Sequence, residues 1–257
     1  MAIYYLCKQN IGRGDGRAVV DAAAYRSGER IYDEYFGRTY NYTKRTDVIH
    51  KEILLSEDTP PEFADRSVLW NAVEIREGRH NSRTAHEFKI ALPRELTHAQ
   101  NIELMQEYIK EKFVKKGMCV DLAIHDKGDG NPHAHVMTTT RYVDRNGFGL
   151  KNRNWNKTSY LTSWRKAWAD IANKHLERHG FKERIDHRTL IEQGINREPT
   201  IHEGLAVRQM KKRGIETDRG NENQAIIERN RKREEQERQR EEQKQQHRRD
   251  KNRERGR

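Results

Sequence analysis

Cysteine is scarce. Cys7 and Cys119 are the only two in 257 residues, too few for a disulfide framework, which points to a reducing compartment and to thiols that fill a core. Apolar residues are also in short supply, at 33% against 35% charged, with a mean hydropathy of -1.18. A chain packed uniformly from end to end needs more, so part of this one is expected to lie outside any core. No apolar run approaches the roughly 20 residues of a membrane span, and Met1-Ala2-Ile3-Tyr4-Tyr5 lacks the basic and long apolar regions of a signal peptide. The expectation is a soluble, cytoplasmic protein with no membrane insertion. A phosphate-binding loop of the GxxxxGK type is missing too, as is any matching Ser-His-Asp or cysteine arrangement for nucleophilic attack. Positive charge, by contrast, is in excess: the net charge is +11 and the pI about 9.6, a surplus that recruits nucleic acid or an anionic membrane surface.

The pattern of residues predicts a mixture of strands and helices, with the oily face of the sheet covered by helices, followed by a charged helical or disordered tail. Residues 2–8 read as a strand, and 18–27 as a short helix of small residues that Gly28 ends. The stretch 31–51 reads as hairpin strands or an ordered loop. Apolar stripes mark helices at 67–76, after the capping-box sequence Thr97-His98-Ala99-Gln100, and at 159–179. Strands are predicted at 86–92, 119–125 and 133–141. From Glu222 onward the chain has no apolar stripe and is dominated from Glu228 by Glu, Gln, Arg and Lys, a solvated tail laced with i,i+4 charge pairs.

The alternation of the strands carries chemistry. Residues i and i+2 of a strand share a face at about 6.5–7 Å, so His133 and His135 point the same way. Val120, Leu122 and Ile124 alternate with Asp121, Ala123 and His125, which puts His125 on the polar face, where a hairpin with the next strand brings it to the other two. Phe88, Ile90 and Leu92 match the apolar side; Glu87 and Lys89 fall with the histidines. A lone His-x-His pair in a basic protein is more often structural, but a third histidine at a hairpin offset makes a metal site the better reading. Tyrosine is the remaining candidate nucleophile, and Tyr25 sits in Ala22-Ala23-Ala24-Tyr25-Arg26-Ser27, where Arg26 can accompany a phosphate. Context alone leaves Tyr25 equally readable as one core tyrosine among ten.

Tyr25, Glu87-Phe88-Lys89-Ile90-Ala91-Leu92-Pro93, His125, Gly128-Asp129-Gly130-Asn131-Pro132-His133-Ala134-His135, Asp186-His187-Arg188 and Glu192-Gln193-Gly194 together strongly resemble the MobA/MobL family of plasmid mobilisation relaxases over residues 1–205. The resemblance implies a relaxase domain at 1–205 of α+β fold, with a central antiparallel sheet and helices packed on one face, which leaves a connecting segment at 206–221 before the charged tail at 222–257. It implies strand-specific nicking and rejoining of single-stranded origin-of-transfer DNA through a 5′-phosphotyrosine, with Tyr25 as nucleophile, Glu87 as an active-site carboxylate, and His125, His133 and His135 as metal ligands. Arg26 and Lys89 are candidate DNA contacts. A divalent cation is implied, magnesium or manganese by family, although imidazoles by type suit zinc or nickel. Relaxosome accessory proteins and a type IV secretion coupling protein are the implied partners. Two other readings share these residues: a rolling-circle replication initiator, disfavoured because its tyrosine typically follows the histidine pair, and a non-catalytic accessory protein with a structural metal.

Overall fold

The computed structural model describes residues 4–201 and 203–255. The chain divides into two compact units, Met1–His187 and Arg188–Arg257.

Among the described residues the first unit is built on nine strands and four α-helices: β1 Leu6–Gly12, α1 Val19–Ser27, β2 Arg30–Asp33, β3 Arg38–Asn41, β4 Val48–Leu54, α2 Arg66–Arg76, β5 Arg83–Ala91, α3 His98–Lys112, β6 Val120–His125, β7 His133–Thr139, β8 Arg141–Asp144, β9 Gly147–Lys151 and α4 Thr158–Arg178. Five strands form one antiparallel sheet in the order β1-β5-β7-β6-β4, and β2-β3 and β8-β9 form two separate ribbons. The stretch left open between hairpin and loop is therefore the β2-β3 ribbon plus the edge strand β4. The run read as one strand from 133 to 141 ends at Thr139, and the chain leaves the sheet into β8.

On the apolar face, Phe88, Ile90, Leu122, Ile124, Ala134 and Val136 are buried beneath α3 and α4, together with Tyr108, Phe113, Trp164 and Trp168. Phe88 stands edge-on to Trp164 at 5.2 Å and Tyr108 edge-on to Trp168 at 5.3 Å, the arrangement that aromatic quadrupoles favour. The capping box at Thr97 and Gln100 opens α3 as its sequence requires.

The alternation placed helices on this face alone, and here the structure differs. The opposite face is covered as well, by α1 and α2, which pack Val19, Val20, Ala23, Leu69 and Trp70 with Ala85, Cys119 and Met137. That face is thus apolar at one end and polar at the other. Between the two ends sits Asp121, 4% exposed; Arg66 donates to both its carboxylate oxygens at 2.8 and 2.9 Å, and the Trp70 indole N–H donates at 2.8 Å. Aligned period-2 patterns show which residues share a face, but they are silent on a cover held by a buried ion pair.

In the second unit, α5 spans Gly204–Lys212 and α6 Asp218–Arg255. The charged tail is helical, and it does not stand without partners. Asn223 accepts from the backbone N–H of Ile201 and donates to its carbonyl, at 2.7 and 2.8 Å. Asn230 treats Glu198 the same way, at 2.8 and 2.9 Å. Seven helical residues advance about 10.5 Å and three extended ones about 10 Å, so two asparagines a heptad apart match an extended segment at every third residue. Polar side chains here do what an apolar stripe does elsewhere, which explains why the unit begins before residue 205.

Removing the Asp121 carboxylate leaves the buried Arg66 guanidinium with Glu29 as its one carboxylate partner, at 2.7 Å, and the indole N–H without its acceptor. Asp121→Ala is expected to lower unfolding stability by about 3–5 kcal/mol in urea titration, and the apolar double replacement Asp121→Leu, Arg66→Met to cost less than the single change. Equal stability of Asp121→Ala and the parent protein would remove the ion pair from its place beneath α2.

Candidate metal centre and tyrosine cleft

Pairing between β6 and β7 sets His125 directly across from His133, and Ala123 across from His135. The three imidazoles gather at the polar end of the sheet, with ring centroids 4.7 to 5.5 Å apart. One nitrogen from each lies within 4.8 Å of the others, and among the described residues no other group of three histidine, cysteine or carboxylate side chains does this.

The protonation pattern suits a cation. Burial pushes His125 down to about 4, and lowers His133 and His135 as well, so all three rings are neutral at neutral pH and protons do not compete for them. Two of the rings are oriented through one nitrogen and present the other. His133 Nδ1–H donates to the Asn131 carbonyl at 3.0 Å, and His135 Nδ1–H to Glu87 Oε1 at 3.1 Å, leaving both Nε2 lone pairs free for a ligand. His125 differs: its Nε2–H donates to the Arg26 carbonyl at 2.7 Å, and its Nδ1 accepts from Arg45 at 3.3 Å. His133 and His135 fit a divalent metal through Nε2, and His125 joins them through Nδ1 once that lone pair turns from Arg45 to the ion.

Glu87 is 5% exposed. Burial works against its charge, but the hydrogen bond from His135 and the adjacent Arg26 guanidinium outweigh it and hold the carboxyl at about 2. It is therefore a carboxylate accepting from a neutral imidazole, the orienting partner that metal-binding histidines use. Its other contacts are Arg26 Nε at 2.6 Å and Arg17 at 3.4 Å.

Arg26 corrects the sequence reading. It is 9% exposed, turned inward to Glu87 and to the Ala22 carbonyl at 2.7 Å, so its guanidinium is not placed to meet a phosphate. On a helix one residue turns about 100°, so with Tyr25 outward its neighbour faces the sheet. Lys89 is exposed and lies across from His135, on the face and beside the rings where the alternation put it.

Tyr25 stands on the outer side of α1, 46% exposed. Ala22, Ala23 and Ala24, which precede it in this helix, are buried, which lets α1 approach α2 closely, and Gly28, with φ 66°, ends the helix in the left-handed conformation. Tyr42 meets the Tyr25 ring edge-on at 5.1 Å while its hydroxyl donates to Asp21, one turn earlier, at 2.7 Å. An open cavity of about 600 Å³ is lined by Tyr25, Lys44, Arg45, Thr46, Asp47, Asp126 and Lys127. Arg45 and Asp47 were not foreseen. The two side chains meet in a bidentate ion pair just before β4, but an Arg-x-Asp triplet in a basic chain is too common to single out.

The model of the MobA/MobL family matches residues 17–213. The chain belongs to this family. It is 35% identical to a probable mobilization protein MobA from Bifidobacterium longum, over 88% of this chain and 47% of that protein, and 32% identical to the mobilization protein MobL of Acidithiobacillus ferridurans, over 85% of this chain and 66% of that one. The chain thus spans about half the length of the first relative. A solved structure concerned with the molecular basis of vancomycin resistance transfer in Staphylococcus aureus superposes with a TM-score of 0.70 at 34% identity, over 73% of this chain and all of the other. Among the described residues no helix is long and apolar enough to cross a membrane.

If Glu87 orients His135, Glu87→Gln keeps the size of the group but loses the charge that the Nδ1–H points to. Calorimetry with manganese or zinc is expected to give an affinity about 10–100-fold weaker, and His135→Ala a still weaker one. Metal affinity unchanged in Glu87→Gln would strip Glu87 of this role.

Proposed function

We propose that this chain nicks and rejoins one strand of DNA at a plasmid origin of transfer, with Tyr25 as nucleophile and His125, His133 and His135 as the ligands of a divalent cation. One observation carries the reading. The half-exposed Tyr25 borders an open cleft, and the next residue on the same helix ties that helix to the histidines twice: the Arg26 carbonyl accepts from His125, and the Arg26 side chain holds Glu87, which holds His135. Nucleophile and metal ligands are thereby mounted on one rigid assembly, the preorganisation that in-line displacement at phosphorus requires.

In the proposed reaction the Tyr25 oxygen bonds to the scissile phosphorus, the bond to the 3′ oxygen breaks, and the phenolic proton ends on the departing 3′ hydroxyl. The 5′ phosphate stays on Tyr25 as an ester. Rejoining is the same exchange in reverse, so one phosphoester is traded for another and no external energy source enters. A bound cation supplies charge neutralisation at the non-bridging phosphate oxygens. The protein residues supply position: His133 and His135 present Nε2, Glu87 and the Asn131 carbonyl hold those rings, and the half-exposed Tyr25 remains accessible from the cleft. Lys44, Lys127 and Lys89 place cationic groups on the side from which a phosphate backbone would approach.

Single-stranded origin DNA is the proposed substrate; relaxosome accessory proteins, a secretion coupling protein and a cytoplasmic location are the corresponding proposed context. The reading draws on family membership and on the histidine cluster.

Tyr25→Phe removes one hydroxyl and no charge. It is expected to abolish the denaturation-resistant protein–DNA adduct formed with an origin oligonucleotide, while affinity for that oligonucleotide stays within about tenfold, the worth of one hydrogen bond. An adduct that survives the substitution assigns the nucleophile elsewhere, with Tyr32 and Tyr35 the next to test.

A further inference from the structure

Arg45 is the most heavily connected side chain at the cleft. Its guanidinium lies over the Tyr25 ring, 4.2 Å from the centroid. One Nη1–H donates to the Tyr25 carbonyl at 3.2 Å. Nε and Nη2 grip both oxygens of Asp47 at 2.9 and 2.7 Å, and Nη2 donates again, to His125 Nδ1 at 3.3 Å. Asp47 is anchored in its turn, since its carbonyl accepts from the backbone N–H of Asp126, beside His125, at 2.9 Å. A guanidinium has five N–H donors. Asp47 takes two and the Tyr25 carbonyl one, so three of the five stay committed inside the protein even when His125 Nδ1 turns from Arg45 to a metal ion. A residue placed chiefly to grip DNA would keep its donors turned outward.

Resting on the reading that Tyr25 is the nucleophile, we infer that Arg45 is a positioning residue: it clamps Tyr25 against the end of β6 and fixes the orientation of the tyrosine relative to the histidines. Three features of arginine are used at once. The flat guanidinium covers the ring face, its fork fits the Asp47 carboxylate bidentately, and a further N–H reaches the α1 carbonyl. Lysine supplies the charge but neither the plane nor the fork. The role is therefore carried by shape, and the signature to look for is a loss of rate without a matching loss of DNA affinity.

The test compares Arg45→Lys, Arg45→Ala and the parent protein in single-turnover nicking at saturating origin oligonucleotide with manganese. Oligonucleotide affinity without metal and the melting midpoint are measured beside it. The expected result is nicking about 100-fold slower in Arg45→Lys, the scale of a misplaced nucleophile, with affinity within about threefold and adduct still formed at long times. Guanidinium ion is expected to raise the rate of Arg45→Ala in proportion to its concentration, while methylammonium at the same ionic strength does not. A parent-like rate in Arg45→Lys overturns the inference. So does a rate that falls only in step with affinity, which makes Arg45 a DNA contact, or a slow Arg45→Ala protein with a parent-like melting midpoint that guanidinium leaves unchanged. Tyr25→Phe, run in parallel, separates this from the underlying reading: an adduct in that variant sinks the nucleophile assignment, whereas its absence alongside a fast Arg45→Lys sinks the Arg45 role alone.

Discussion

The register between β6 and β7 is the constraint on which the site depends. His125 faces His133 across the ladder, and that pairing also puts Ile124 opposite Ala134 and Leu122 opposite Val136. Because side chains alternate with a period of two, a slip by one residue would turn the histidines toward α3 and α4 and bring the apolar residues to the other face. The register is held by the core that those apolar residues make with the aromatic cluster of Tyr108, Phe113, Trp164 and Trp168. The burial of hydrophobic groups on one side of the sheet thus sets the direction of the imidazoles on the other.

The opposite face then has to be polar at one end and closed at the other. Helices α1 and α2 close it, and the means of closure reach into the site. Val19 N–H, at the start of α1, donates to the buried Glu74 at 3.0 Å, placing a carboxylate where the helix dipole favours one. At its other end the Arg26 carbonyl and guanidinium engage His125 and Glu87. A helix of nine residues is too short to be stable by itself, so its direction is set by these end contacts and by the packing of its alanines. Tyr25 inherits that direction.

Much of this was legible in sequence because it follows from periodicity. The strands carrying Glu87, His125 and His133, the face each side chain takes, the capping box at Thr97 and the helical stripes needed only counting. What periodicity does not encode is which polar groups meet across elements far apart in the chain. Arg26 was assigned outward on chemistry alone, whereas the turn of the helix beside an outward Tyr25 sends it in. Asp121 was read simply as a residue of the polar face, yet it is the buried acceptor for Arg66 and Trp70. Arg45 and Asp47 sit in a stretch whose conformation was left open, and their importance comes from meeting His125, 80 residues later. In the tail, the absence of an apolar stripe was read as solvation. The asparagine pair shows the limit of that inference, since bidentate bonds to backbone groups can order a segment with little apolar burial.

The same distinction separates two kinds of polar group around the histidines. Glu87, the Asn131 carbonyl and the Arg26 carbonyl each accept a hydrogen bond from one imidazole N–H, which fixes a tautomer and directs the remaining lone pair. Arg45 is a donor and faces His125 from the other side, at the lone pair that a metal ion would take in its place. His125 is therefore the ring whose environment differs from the other two: it is buried between α1 and the β3–β4 connection, and both of its nitrogens are engaged within the protein. Of the three, it is the histidine joined to the tyrosine helix by both of its nitrogens, through the Arg26 carbonyl on one and through Arg45 on the other. A change at either contact is transmitted to Tyr25 by a path of two hydrogen bonds at most.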